Sequence, residues 1–300
     1  MLLQQIINGL TLGAVYALIA LGYTMVYGIL ELINFAHGEI YMIGAYLGIV
    51  LLAVLTLLGL TESHLLLSLL LVFVVSALIC AAYGLTLERI AYRPLRQAPR
   101  LSPLISAIGM SIFLQNYVML AQGSTDKVFP HILPLRELSL AGIRITTLQA
   151  FIIAASVFLM IVLHLFVRKT RLGKAMRATA QDKRMAGLVG IDINKVIAIT
   201  FVIGSGLAAA AGVMVAMYYG SVNFYIGYVA GIKAFTAAVL GGIGNIPGAM
   251  LGGLILGLVE SLGAAYISSE YKDAFAFLIL ILVLVVRPTG LLGERVPEKV

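Results

Sequence analysis

The sequence predicts an all-α, polytopic transmembrane helix bundle of eight or nine spans with glycine-rich packing. Three observations carry that reading. Of the 300 residues 61% are hydrophobic and 11% charged, with mean hydropathy +1.07, which leaves too little polar surface to cover a soluble globule of this size. The apolar residues fall into runs of roughly 20, the length that crosses about 30 Å of hydrocarbon. Most of the 31 glycines lie inside those runs, where small residues let membrane helices approach closely.

In chain order the runs place helices near 5–28, 34–59, 64–88, 101–122, 147–167 and 196–219. Residues 1–88 contain no Lys or Arg, so the opening segment lacks the basic region of a cleavable signal peptide and is expected to stay as the first span. The stretch 229–287 is less regular. A short run, 229–243, overlaps Gly241-Gly242-Ile243-Gly244-Asn245-Ile246-Pro247-Gly248, and a run 249–267 and a final helix 272–286 follow. The short run reads as a full span or as a re-entrant segment near 229–248, which leaves the count at eight or nine. Gly44-Ala45-Tyr46-Leu47-Gly48 and Gly248-Ala249-Met250-Leu251-Gly252 share a pattern that hints at an internal repeat. Residues 1–300 read as a single transmembrane domain.

Charge sets an orientation. The loop 168–195 carries eight Lys/Arg against Asp182 and Asp192, net +6 of the chain's +7. Loop 89–100 adds Arg89, Arg93, Arg96 and Arg100, and the tail Arg287, Arg295 and Lys299. Basic loops of this kind belong on the cytoplasmic side. The loops 60–63, 123–146, 220–228 and 268–271 are poorer in Lys/Arg and belong outside; 123–146, with Asp126, Lys127, Arg136, Glu137 and Arg144, is nearly balanced. Nine crossings would put the N-terminus out and the C-terminus in. The basic charge is therefore read as topology, with the lipid bilayer as partner and no nucleic acid. No tryptophan is present, so interface anchoring falls to the 14 tyrosines.

Several chemistries are excluded. Cys80 is the lone cysteine, so neither a disulfide nor a Cys-based metal site can form. Gly173-Lys174 is followed by Ala175 and lacks the glycine spacing of a nucleotide-binding loop; the chain is not expected to hydrolyse ATP by that route or to bind a cofactor. His37, His64, His131 and His164 are scattered without metal-ligand spacing, and no G-x-S-x-G turn occurs, so catalytic and metal residues are expected to be absent.

The remaining candidates are polar groups in apolar surroundings. Asn34, His37 and Glu39 open the second run. They line a pathway at an unwound helix start, or they mark a helix end at the interface, with Asn34 as cap and the others touching water. Glu260, Asn116 (beside Gln115) and Lys233 are the other intramembrane polar groups. Glu260 serves a pathway, or it packs helices together by pairing with Lys233 or Asn116; Lys233 could instead snorkel to the interface. In the basic loop Ala178, Asp182, Ala186 and Gly190 recur every four residues, so a helix through them would carry a low-profile stripe for a partner's surface. Leu172, Ala175, Met176, Thr179, Ala180 and Ala186 gather on one side of that helix, interrupted by Lys183, with the arginines largely opposite. Such a helix buries its apolar side on the membrane surface or on a partner protein.

The run Leu32-Ile33-Asn34-Phe35-Ala36-His37-Gly38, the basic loop ending in Gly187-Leu188-Val189-Gly190-Ile191, and Leu240-Gly241-Gly242-Ile243-Gly244-Asn245-Ile246-Pro247-Gly248-Ala249 resemble the permease subunits of branched-chain amino acid ABC importers. The likeness covers nearly the whole chain, and its length is similar to that of the H-type permease rather than the longer M-type. The resemblance implies a bacterial plasma (inner) membrane protein that forms half of the pathway for leucine, isoleucine or valine. It also implies a second, different permease, two ATP-binding subunits that consume the ATP, and a periplasmic or extracellular binding protein. Residues 173–191 would be the helix that couples to an ATPase subunit, with Ala178, Thr179, Ala180, Asp182, Ala186, Gly187, Gly190 and Ile191 in the loop. The family's Glu-Ala-Ala triplet is absent; Ala178-Thr179-Ala180 stands in its place. Two other classes remain open on the residues alone: an ion-coupled secondary carrier using Glu260 and Lys233, and a membrane-embedded enzyme.

Overall fold

The computed structural model describes residues 2–99, 101–130, 137–140 and 143–293. Arg100, His131, Arg136, Arg295 and Lys299 lie outside the described residues. The chain runs through α1 (Leu2–Leu30), α2 (His37–Leu57), α3 (Leu60–Ser63), α4 (Leu65–Leu87), α5 (Leu101–Gln122), α6 (Thr147–Lys169), α7 (Arg171–Gln181), α8 (Lys183–Leu188), α9 (Ile193–Tyr219), α10 (Ile226–Gly241), α11 (Ile246–Tyr266) and α12 (Lys272–Val286). Four short strands interrupt the all-helical expectation: β1 (Lys127–Val128) pairs antiparallel with β4 (Ser221–Val222), and β2 (Glu137–Leu140) with β3 (Ile143–Thr146). Among the described residues seven helices are long and apolar enough to cross a membrane: α1, α2, α4 with its extension to Leu95, α5, α6, α9 and α11. The shorter α10 and α12 pack with α11 and bring the expected count toward nine.

Helix is the form these runs must take, because a backbone in hydrocarbon has to satisfy its own N–H and C=O groups. Local signals set the ends. Thr146 and Gln149 form a reciprocal capping box at the start of α6, Asp192 accepts from the Lys195 N–H at α9, and Asn245 from the Gly248 N–H at α11. Gly220, with φ +70°, stops α9 in a left-handed conformation that a side chain resists.

α1 and α9 form the interior. Every residue from Gly13 to Val26 and from Leu207 to Met217 is buried. α1 packs antiparallel along α11 with glycines at the contact: a Cβ added to Gly257 would lie 2.3 Å from Gly13 Cα, and one on Gly253 2.4 Å from Ala17 Cα. The two copies of the G-A-x-L-G pattern both make close contacts, Gly44 on Ala209 of α9 and Gly252 on Ala237 of α10. α4, α5 and α6 are apolar yet mostly exposed, the signature of a lipid-facing shell.

Two helices begin part-way through this thickness. α1 ends at Leu30, beside Lys183 of the basic loop. The chain then turns at Glu31, a non-glycine residue with φ +60°, and re-enters as a short non-helical segment that closes in a turn, the His37 N–H donating to Asn34 O, before α2 starts at His37. The His37 ring packs on Gly22, eight residues above Leu30 and so about 12 Å inside the end of α1. α10 starts against the same level from the opposite end: a Cβ on Gly38 would lie 2.2 Å from Gly227 O. Its 16 residues span about 24 Å, less than the hydrocarbon core. The span expected from residue 34 thus opens with a non-helical, turn-containing re-entry.

Candidate functional site

The re-entry delivers Asn34, His37 and Glu39 into the interior, all fully buried. Asn34 caps nothing; its Oδ1 accepts from the Tyr92 hydroxyl at 3.0 Å. His37 meets Tyr23 edge to face, ring centroids 4.9 Å apart. Glu39 Oε1 accepts from the Ser111 hydroxyl at 3.0 Å. The interface reading, with Asn34 as cap and the others in water, is therefore corrected. None of the three lines a cavity described here, and what they share is a buried polar junction between α1, α2, α4 and α5.

A second cluster joins four elements. Lys233 Nζ lies 2.7 Å from Glu260 Oε1 and 2.6 Å from Asp273 Oδ1, and the Tyr16 hydroxyl donates to Glu260 Oε2 at 2.8 Å. Lys233 and Glu260 are 5% and 3% exposed in their side chains, whereas Asp273, in the first turn of α12, is 49% exposed. Snorkelling by Lys233 is excluded by its burial. Asn116 does not join Glu260: it faces outward on α5 and donates to its own helix at Ile112 O, 2.8 Å away. Sequence reasoning found the Lys233–Glu260 pair and missed Tyr16 and Asp273, whose membership depends on how α1 and α12 pack.

Two cavities flank the cluster. One of about 240 Å³ is lined by Leu12, Tyr16, Tyr219, Val229, Lys233 and Asp273 among others; a neighbour of about 310 Å³ shares Leu12, Tyr219 and Lys272 and reaches Glu260. Both lie toward the end of the bundle remote from the basic loop, where Gln149 donates to Asn8 at 2.8 Å.

At the other end the basic loop forms two helices rather than one. Asp182 has φ −155° and caps α8, accepting from the Arg184 and Met185 N–H groups at 2.8 and 3.0 Å. The stripe of Ala178, Asp182, Ala186 and Gly190 is broken there, because a side chain that caps one helix cannot lie within a continuous one. Gly173, Met176 and Thr179 turn inward, as does Ala186, while Ala178 and Ile191 are half-buried. Ala180, Gly187 and Gly190 are exposed, the last with φ +85°. The open apolar surface belongs instead to Met185, Leu188 and Val189, exposed by 59%, 80% and 74%.

Lys183 ties this helix pair to the bundle, donating to Leu30 O at 3.4 Å and facing Glu31 at 3.7 Å. Arg96 ties the neighbouring loop, bonding Glu88 and Asn194 at the root of α9. Burial lowers the Arg96 guanidinium from its ordinary range, and the Glu88 carboxylate works against that shift.

The family described as branched-chain amino acid transport system / permease component matches residues 5–284. The chain belongs to that family. This permease is 54% identical over 302 aligned residues to the high-affinity branched-chain amino acid transport system permease protein LivH of Escherichia coli (strain K12), with 99% of this chain and 97% of the relative covered. It is 54% identical to the permease protein BraD of Pseudomonas aeruginosa, covering 99% and 98%, and 30% identical to a probable branched-chain amino acid permease protein LivH of Methanocaldococcus jannaschii, covering 92% and 88%. No solved structure matches the permease significantly.

Proposed function

We propose that this permease forms half of the membrane pathway of an ATP-driven importer of leucine, isoleucine and valine. A second permease subunit completes the pathway, two ATP-binding subunits dock on the α7–α8 side, and a soluble binding protein delivers substrate at the opposite end. The observation that carries this reading is the α7–α8 pair: Met185, Leu188 and Val189 stand exposed among basic residues, on helices braced against the end of α1. An apolar patch on a charged element is a surface that waits for a protein. The excess of Lys/Arg in 89–99 and 168–195 supports placing that end in the cytoplasm of a bacterial inner membrane. The permease itself carries no nucleotide loop, so the energy source is separate and acts by favouring one of two conformations. An ion-coupled carrier working through Glu260 would need that carboxylate free to load an ion, and it is already held by Lys233 and Tyr16.

The test is affinity purification from native membranes. The second permease and ATP-binding subunits are expected to accompany this chain. Purification of the chain alone, with uptake in liposomes that collapses with an ion gradient, overturns the reading in favour of a carrier; turnover of a lipid or peptide by the lone chain overturns it in favour of an enzyme.

A further inference from the structure

The cluster of Lys233, Glu260, Tyr16 and Asp273 does more than hold helices together, because three of its members, Tyr16, Lys233 and Asp273, are on the wall of an open space. Lys233, buried on all other sides, lines the 240 Å³ cavity together with Asp273 and the exposed Lys272. Apart from Asn223 the remaining lining is apolar or aromatic: Leu12, Val215, Ile226 and Val229 with tyrosine rings between them. The space exceeds the engineered cavity of about 150 Å³ that takes up benzene.

The charges choose the ligand. Lys233, Lys272 and Asp273 line this cavity, and Glu260, on the wall of the neighbouring one, is paired to Lys233, so the group as a whole is two positive against two negative, neutral with its signs separated. A ligand of single charge would add a charge that the already balanced wall leaves unanswered. A zwitterion adds none. We propose that this cavity binds the transported amino acid as its zwitterion, with the α-carboxylate on Lys233 and the α-ammonium on Asp273, and with the branched side chain against Leu12, Val215 and Val229.

Binding is an exchange of ion pairs. In the site as it stands Lys233 donates to Glu260 and to the Tyr16 oxygen, while Asp273 pairs with it by charge alone, its Oδ1 accepting no hydrogen bond. Glu260 is buried and held by Tyr16, so it stays. Asp273 is half-exposed at the start of a helix and is the partner free to swing. The ligand carboxylate takes its place on Lys233, and Asp273 turns to the ligand ammonium. One pair becomes two, and no charge is left alone. Glu260 and Tyr16 act as positioning residues that hold Lys233 on the wall.

This inference rests on the transport reading, and the experiment separates the two. The assembled transporter, purified from native membranes without its soluble binding protein and held in lipid nanodiscs, is titrated by saturation-transfer NMR. The probes are L-leucine, L-leucinamide, which lacks the carboxylate, and 4-methylpentanoate, which lacks the ammonium. Leucine is expected to bind, with each analogue weaker by about tenfold or more, the loss of one charge-assisted contact. Asp273→Asn should weaken leucine by a similar factor and remove its advantage over 4-methylpentanoate, while leaving its advantage over leucinamide. Asp273→Glu should restore part of the loss, and Val229→Phe, which fills the space, should abolish binding of all three. Should Asp273→Asn fail to assemble on size exclusion, the analogue series on the unaltered protein and Val229→Phe still decide. Equal binding of the three probes, undiminished leucine binding in both altered proteins, or no leucine binding by an assembly that transports it overturns the site while leaving the transport reading intact. An assembly that takes up no leucine with its binding protein present overturns the transport reading and this site with it.

Discussion

Replacing Glu260 tests how the buried pair stands energetically. Glu260→Ala removes the partner at 2.7 Å from Lys233 and the acceptor of the Tyr16 hydroxyl at 2.8 Å, both largely buried. Breaking a buried ion pair costs 3–5 kcal/mol; Asp273 remains 2.6 Å from Lys233, so the loss is set at about 3 kcal/mol, the low end. Glu260→Gln keeps the shape and one neutral hydrogen bond and gives up the charged one, a loss of about 1 kcal/mol. The double replacement Lys233→Met with Glu260→Met removes both charges, and since apolar substitutes for a buried pair are often neutral, its cost is mainly that of the Tyr16 hydroxyl left without its acceptor, about 1–2 kcal/mol. The singles and the double are far from additive, as contacting residues should be. The assay is the fraction of purified permease that stays monodisperse in detergent after heating, followed over a temperature series. A double replacement as damaging as the sum of its singles would refute the reasoning, because Lys233 and Glu260 would then act on separate partners.

Three further outcomes are expected. Gly212→Val should prevent folding, since a Cβ there lies 2.1 Å from Tyr41 O, whereas Gly109→Ala, with no neighbour within 4 Å, should shift the midpoint of the heating series by an amount too small to resolve. Leu188→Glu and Val189→Glu should leave the permease in the membrane but reduce co-purification of ATP-binding subunits several-fold; Ala186→Arg should instead lower the yield of the permease itself, because Ala186 is buried within its own chain. An impermeant thiol reagent on intact cells should label a cysteine at Ser124 and spare one at Ala180, with Cys80 silent because it is fully buried; labelling at 180 with protection at 124 would reverse the orientation.

The spans were legible because hydrocarbon thickness dictates their length, and the helices fall within a few residues of the apolar runs. The re-entry before α2 was not. Leu32, Ile33 and Phe35 are as apolar as the helix they precede, and hydropathy carries no trace of the non-helical turn that follows Glu31. The break at Asp182 escaped for a related reason, since a four-residue recurrence of small residues matches a helix face even when its one acid is an N-cap. Of the buried polar groups, Lys233 and Glu260 could be paired by charge alone. Tyr16 sits 217 and 244 residues from its two partners, and only the packing of α1 against α10 and α11 brings it there.

The meeting of α2 and α10 at Gly38 and Gly227 gives Glu39 an unusual neighbourhood. Each helix start concentrates roughly half a positive charge on its unpaired N–H groups, and here two starts are set nose to nose inside the bundle. Glu39 stands in the first turn of α2, and its Oε2 reaches to within 2.5 Å of where a Cβ on Gly227, in the first turn of α10, would be. Among the described residues it has no lysine or arginine partner. Oε1 accepts from the Ser111 hydroxyl and Oε2 takes no hydrogen bond among the described residues, so what the two oppositely directed helices offer the carboxyl is only the field of their starts, and sliding either helix along its axis draws part of that field away.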